Sequence, residues 1–207
     1  AVVGGHVTPI DHMYFQPAVF QSEPDTYNVY ADADGIITTI GIEPDFPENK
    51  HKKIRIIMHS CDFYSRLIHI DTLSEKVLSS FAFSNTNDQH PYAQTRIKVK
   101  EGEVIGTVGP HSLDFQIINT LKQDRNILSP QNIDSFSSYT VDTFSSVSNS
   151  LRNELLPKNL RKREPLGGKL GYDKAGTLLG NWFKVGRDKN ERAEYWTKNL
   201  SIVYDHI

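Results

Sequence analysis

The chain has 207 residues, of which 38% are hydrophobic and 23% charged, ordinary proportions for a globular protein with one large domain or one domain and a smaller appendage. Its formal net charge of −2 supplies neither a basic field for nucleic acid nor a polybasic patch for a membrane. No apolar run reaches the roughly 18 residues that a membrane span requires. A single cysteine, Cys61, excludes an internal disulfide framework.

Both ends of the chain suggest that the native protein is longer. The sequence begins Ala-Val-Val-Gly-Gly without a methionine, and small residues of this kind suit cleavage by signal peptidase. We therefore favour export, to the cell surface or the extracellular space, over a cytosolic fragment. Residues 201–207 have the pattern of a strand that leads into a turn, so we expect the native chain to continue beyond Ile207.

The first 120 residues show the short strands and glycine turns that are typical of a β-rich domain. Residues 12–15 predict a short strand. The Asp-Gly between the β-branched runs at 27–31 and 36–41 predicts a β-hairpin. Residues 54–59 and 66–70 predict an antiparallel pair of strands.

A short helix and a strand-turn-strand unit complete this region. Residues 73–82 have helical spacing, and two apolar runs follow at 104–108 and 113–117, on either side of a Gly-Pro-His-Ser corner. The second run alternates with the period of a half-buried strand. This pattern predicts that Asp114 and Gln116 lie on its open face.

We divide the chain into three parts. Residues 1–120 form the β domain, residues 121–165 a Ser- and Asn-rich wrap or linker with a short helix, and residues 166–207 a small β-unit that packs on the first domain. At 130–150 the recurrent aromatic residues favour a packed wrap over a free linker. The fold class that we expect is mainly β, with antiparallel, sandwich-like sheets and a small β-rich C-terminal extension.

Three side chains are expected to be structural. We expect Trp182 and Trp196 to pack in a core or between domains, although exposed tryptophans also stack on sugars. We expect Cys61 to be a buried and inert thiol.

Five of the eight histidines fall beside predicted strands of the first domain, together with two aspartates: His6, His12, His59, His69, His111, Asp11 and Asp114. Imidazoles and carboxylates are ligands of catalytic zinc sites, which use three protein groups and leave one position for water. Zinc lowers the pKa of that water to about 7, and a further histidine then acts as base or electrostatic stabiliser. Structural histidines at strand ends are the more frequent case, and spacing does not show that these side chains converge.

Several motifs follow one another in a characteristic order. They are an Asp-Gly hairpin at 29–37, a strand ending in His59, a strand containing His69, a glycine-rich turn at 99–106 and a Ser-Leu-Asp-Phe segment at 112–115. In this order the first 120 residues resemble the lysostaphin-type (LytM-type) zinc endopeptidases. The resemblance covers roughly the first 60% of the chain.

The resemblance implies a duplicated hybrid motif fold of antiparallel sheet and an activity on the peptide cross-links of the cell wall. It implies a zinc site formed by His6, Asp11 and Asp114. It also implies that His69 acts in catalysis, with His111 or His59 as a further candidate.

The departures from the family pattern fall at the metal. His6 and Asp11 are one residue further apart than in the family's H-x-x-x-D motif, and the terminal H-x-H motif has Ser112 and Asp114 in the places of its two histidines. Asp114 retains an oxygen ligand for zinc at about 2.0–2.2 Å. Ser112 cannot replace an imidazole at neutral pH.

Three interpretations follow from these motifs. We favour a secreted or surface-associated, metallopeptidase-like pseudoenzyme that serves as a binding or assembly module, with or without a retained zinc. The first alternative is an active zinc endopeptidase or amidase that acts on cell-envelope peptides. The second is a carbohydrate-binding β module. The expected partners are cell-envelope peptide or glycan, or a surface protein; nucleic acid and a membrane span within the chain are not expected.

Overall fold

The computed structural model describes residues 11–19, 21–42, 52–82, 92–133, 136–162, 164, 166–168, 171–186 and 198–203, with the backbone alone at 52–56. These residues form antiparallel β-sheets with little helix, which confirms the mainly β fold class. Within this part of the chain, no helix is long and apolar enough to cross a membrane.

The described residues contain eleven strands. In chain order they are β1 (Met13–Phe15), β2 (Tyr27–Tyr30), β3 (Gly35–Ile42), β4 (Lys52–Met58), β5 (Phe63–Ile70), β6 (Thr72–Leu73), β7 (Tyr92–Val99), β8 (Val104–Val108), β9 (Leu113–Asn119), β10 (Gly180–Phe183) and β11 (Asn199–Ile202). The helices are short: α1 (Glu75–Leu78), α2 (Asn149–Leu155) and 3₁₀ turns at Pro130–Asn132, Ser137–Tyr139, Thr143–Ser145 and Leu156–Lys158.

The strands form three sheets. A six-stranded sheet has the order β1-β9-β5-β4-β3-β7, a three-stranded sheet has the order β2-β8-β6, and β10 pairs with β11. The predicted antiparallel pair is confirmed, because β4 and β5 are antiparallel neighbours.

The predicted hairpin between β2 and β3 is wrong. β2 pairs with β8 in the three-stranded sheet, whereas β3 pairs with β4 and β7 in the six-stranded sheet. The Asp-Gly segment therefore moves the chain from one sheet to the other. A Cβ on Gly35 would lie 2.9 Å from the His59 ring, so the close approach of this histidine accounts for a glycine here.

The chain divides into two compact units. One is Tyr14–Gln116, which we call the sheet unit; the other combines Ala1–Met13 with Ile117–Ile207, and we call it the loop unit. The sheet unit has an aliphatic core in which the alternating pattern of its strands is visible. The fully buried side chains include Ile37, Ile40, Ile57, Leu67, Ile70 and Ile105.

The loop unit contains few strands, and much of its buried surface is polar. Its buried residues include Phe144 and Tyr172, but also Asp124, Ser137, Ser138, Thr140, Thr143, Arg161 and Asn181. Residues 136–150 pack through Phe144 and a bridge between Thr140 and Ile118. These contacts pack the segment within the loop unit, and its role as a wrap on the first domain stays a prediction.

Carboxylates organise the loops of this unit. Asp142 accepts hydrogen bonds from the backbone N–H groups of Phe144, Leu166 and Gly167 at 2.8, 3.0 and 3.0 Å. Asp173 accepts from the N–H groups of Leu128 and Asn181, each at 2.7 Å. These acceptors satisfy backbone groups that a sheet would otherwise satisfy.

Candidate functional site

Two polar side chains of β9, Asp114 and Gln116, are buried. Asp114 and Gln116 are as inaccessible as the apolar residues that alternate with them, so the predicted open face is wrong. β9 lies inside the six-stranded sheet, between β1 and β5, and these polar side chains meet polar residues of β5. A buried carboxylate must have such partners, because its transfer from water is otherwise very costly.

His69 occupies a β-bulge near the end of β5. Ile68 pairs with Lys53 and Ile70 with Lys52, so His69 is the additional residue of its strand. Its φ angle of 72° lies in the left-handed region, which costs a residue with a Cβ roughly 1–2 kcal/mol. A bulge of this kind redirects a side chain that strict alternation would place elsewhere.

The His69 ring meets the start of β9. Its Nδ1 lies 3.1 Å from the carbonyl oxygen of Ser112 and 3.4 Å from Oδ1 of Asp114. Because a carbonyl oxygen only accepts, this contact places the ring proton on Nδ1, and in the neutral ring the lone pair is then on Nε2. Backbone and carboxylate thus fix both the tautomer and the orientation of the imidazole.

A second polar contact joins the same two strands. Arg66 Nη1 donates to Oε1 of Gln116 at 3.2 Å, with the arginine half-buried and the amide buried. Arg66 was not expected at a site, and Gln116 was expected only on the open face of its strand. Their positions three residues before His69 and two after Asp114 become informative only once β5 and β9 are known to be neighbours.

His59 belongs to a separate cluster. Its Nδ1 donates to the carbonyl oxygen of Asp34 at 2.9 Å, and its Nε2 lies 3.0 Å from Ser65 Oγ and 3.3 Å from Asp32 Oδ2. Ser65 is fully buried and donates to Oδ1 of Asp32 at 2.9 Å. This Ser-His-Asp set is not arranged for nucleophilic catalysis, because serine and aspartate contact the same ring nitrogen, whereas a triad needs them on opposite nitrogens.

The environment of His59 favours its charged form. Burial alone lowers the pKa of this imidazole, but the hydrogen bonds to Asp32 and to the Asp34 carbonyl outweigh it, and the pKa is raised above its usual value. His59 therefore ties the segment between β2 and β3 to β5. The partners Asp32 and Ser65 are not predicted from the sequence.

The remaining predicted site residues are placed as follows. His111 is half-buried in the turn before β9, next to Ser112. Asp11, in the loop unit, has Oδ1 2.9 Å from His12 Nδ1, and its Oδ2 accepts from the hydroxyl of Ser137. His6 lies outside the described residues.

The described residues do not by themselves fit a zinc ion. His69 and Asp114 would supply one nitrogen and one oxygen, whereas a catalytic zinc requires three protein ligands. Among the described residues, no group of three His, Cys, Asp or Glu side chains is placed to hold a metal. The zinc site remains a prediction from the resemblance.

Two structural expectations are corrected. Cys61 is exposed, since it lies in the tight turn 59–62 between β4 and β5. Trp182 is also exposed, because the buried face of β10 is the one that presents Asn181. Trp196 lies outside the described residues.

Comparison of the chain with protein-family models, with curated proteins and with solved structures gives no significant match.

Proposed function

We propose that this chain is a metallopeptidase-like β domain that binds a cell-envelope peptide through the His69 region and does not cleave it. The observation that supports this function is the imidazole of His69, which is held in a left-handed bulge against Ser112 and Asp114. A strained residue persists only where its surroundings impose it, and such residues cluster at functional sites.

The tautomer of His69 suggests how a peptide would be bound. A neutral imidazole with its proton on Nδ1 accepts hydrogen bonds at Nε2, and in the bound state a peptide N–H or an ammonium group would donate to that atom. The carboxylate of Asp114 behind the ring strengthens that acceptor. Peptide cross-links contain both kinds of donor.

The absence of cleavage rests on the chemistry of position 112. The resemblance places a catalytic imidazole there, and a serine side chain neither accepts nor delivers a proton at neutral pH in its place. The contact of position 112 with His69 is made by the backbone carbonyl, which cannot titrate.

A binding experiment tests the proposal. Binding of soluble envelope peptides to the full chain would be measured by calorimetry for the wild type, His69→Gln and Asp114→Asn, with Glu154→Gln, at an exposed carboxylate of the loop unit, as the control. We expect each of the first two substitutions to weaken binding at least about tenfold, because the first removes the imidazole acceptor and the second removes the carboxylate that polarises it. The control should bind within twofold of the wild type.

The same preparations separate the alternatives. Protein purified without chelator would be analysed for zinc and incubated with peptidoglycan. Zinc-dependent hydrolysis that His69→Gln abolishes would establish an active endopeptidase and overturn our proposal. Binding to glycan strands but not to peptides would favour the carbohydrate-binding module.

A further inference from the structure

The β10–β11 hairpin of the loop unit has its polar residues on the inside. Trp182 pairs with Leu200 and Gly180 with Ile202, so these four residues share one face, and Asn181, Phe183, Asn199 and Ser201 share the other. The second face is buried or half-buried. On it, Ser201 donates to Asn181 at 2.8 Å, and the Asn181 amide donates to Asp173 at 3.1 Å.

The opposite face is apolar and exposed. Trp182 retains 47% of its exposure, Leu200 56% and Ile202 38%. In a sheet with one face exposed to water, the apolar side chains normally lie on the other, buried face. The hairpin therefore presents to solvent the residues that usually avoid it.

Two further exposed apolar residues flank β10 in the chain. Leu178 precedes β10, and its carbonyl oxygen accepts the indole N–H of Trp182 at 2.8 Å, so the polar atom of the indole is satisfied within the chain. Val185 lies in the turn that follows β10 and is 97% exposed. We call Leu178, Trp182, Val185, Leu200 and Ile202 the hairpin patch.

The charged residues nearest to the hairpin in the sequence are mostly cationic, although the whole chain has a net charge of −2. In the described residues 171–186 and 198–203 they are Lys174, Lys184 and Lys198, together with Asp173, whose carboxylate oxygens accept hydrogen bonds inside the unit. The connecting residues 187–197 contain three basic and three acidic side chains and do not change the balance. An apolar centre with a lysine rim is complementary to an apolar surface with an anionic rim.

We propose that the hairpin patch docks on a phospholipid bilayer with anionic head groups. Trp182, Val185 and Leu200 would enter the interface between head groups and acyl chains, where aromatic and aliphatic side chains are favoured. The lysines would stay at the phosphate level, since long cationic side chains extend toward the polar layer. A second copy of the chain is a poorer occupant, because it would bring two sets of lysines together.

Vesicle flotation tests this surface. The full chain would be mixed with vesicles of phosphatidylcholine alone or of equal parts phosphatidylcholine and phosphatidylglycerol. Val185→Asp is the diagnostic variant, because a side chain that is 97% exposed does not support the fold. Leu160→Asp is the matched control, since Leu160 lies in the same unit, outside the hairpin, and is 81% exposed.

We expect the wild type to float with the anionic vesicles and the partition coefficient of Val185→Asp to be about tenfold lower, as the loss of one inserted side chain implies. Leu160→Asp should lower it less than twofold, and removal of either exposed lysine, Lys174 or Lys184, about fivefold. In a Trp196→Phe background, the emission of Trp182 should shift to the blue on binding.

Three results would overturn the proposal. They are failure of the wild type to float with anionic vesicles, equal losses in the two aspartate variants, and a concentration-dependent dimer that Val185→Asp dissociates. The last result would assign the patch to a second copy of the chain.

Discussion

The sheet unit and the loop unit satisfy their backbone N–H groups with different hydrogen-bond acceptors. In the sheet unit, the carbonyl groups of neighbouring strands accept from the backbone N–H groups, and the core of the unit is aliphatic. In the loop unit, the carboxylates of Asp142 and Asp173 accept several backbone N–H groups each. Stability in the first unit should depend on apolar volume, and in the second on a few side-chain oxygens.

The largest effect is expected in the core of the sheet unit. Ile40 on β3 is fully buried, and Ile40→Ala should lower the free energy of unfolding by about 3 kcal/mol, because it removes buried methylenes and leaves a cavity. Urea denaturation measures the loss, and hydrogen exchange should place it in β3, β4 and β7. Val104→Ala, at a partly exposed position of β8, is the control and should cost under about 1 kcal/mol.

A polar substitution in the loop unit should cost nearly as much. Asp142→Asn is almost isosteric, but in either orientation its amide replaces one acceptor by a donor that faces at least one backbone N–H group. We expect a loss of about 2 kcal/mol, with faster exchange at Leu166 and Gly167 and unchanged exchange in β3. An equal loss of protection in β3 would contradict the separation of the two units. Glu154→Gln, whose carboxylate forms an exposed pair with Lys158, should change stability by less than about 0.5 kcal/mol.

Substitutions at position 69 separate the steric cost of the left-handed backbone from the contact that the imidazole makes with Ser112. Glycine adopts φ near +72° without the steric cost that a Cβ incurs. His69→Gly should therefore be more stable than His69→Ala by about 1 kcal/mol, although both lose the contact with Ser112. Chemical denaturation of the two variants decides this, and equal stabilities would mean that the bulge relaxes when the imidazole is removed.

The smallest effect is the pH dependence contributed by His59. Its pKa is raised in the folded state, so its stabilisation is fully present below the unfolded value of about 6.5 and is lost as the pH rises through the folded-state pKa. Denaturation midpoints across this range should fall for the wild type. Asp32→Asn should flatten that decline, because it removes the carboxylate that raises the pKa; an unchanged slope would assign the effect to another group.

The two units also differ in how much of them the sequence predicts. Alternation and β-branched runs predicted the pairing of β4 with β5, because neighbouring strands leave a local pattern. The β2–β3 hairpin was wrong although Asp-Gly is a strong turn signal, since Asp32 and Asp34 are held by His59 and Lys100 and the partners of both strands are distant in sequence. The three N–H contacts of Asp142 leave no periodic pattern at all.

The candidate site was predicted in part for the same reason. His69 and Asp114 were identified by residue type and by the resemblance, and the structure places them 3.4 Å apart. The contacts of His69 with Asp114 and of Arg66 with Gln116 depend on the adjacency of β5 and β9. These two strands are separated in the chain by three others, β6, β7 and β8.

The left-handed bulge at His69 also has an evolutionary consequence. A lineage that keeps only the fold should drift at this position toward glycine or asparagine, which adopt φ near +72° at lower cost. A lineage that uses the imidazole must keep the strain. The residue found at position 69 in descendants of this gene is therefore a record of whether selection still acts on the site.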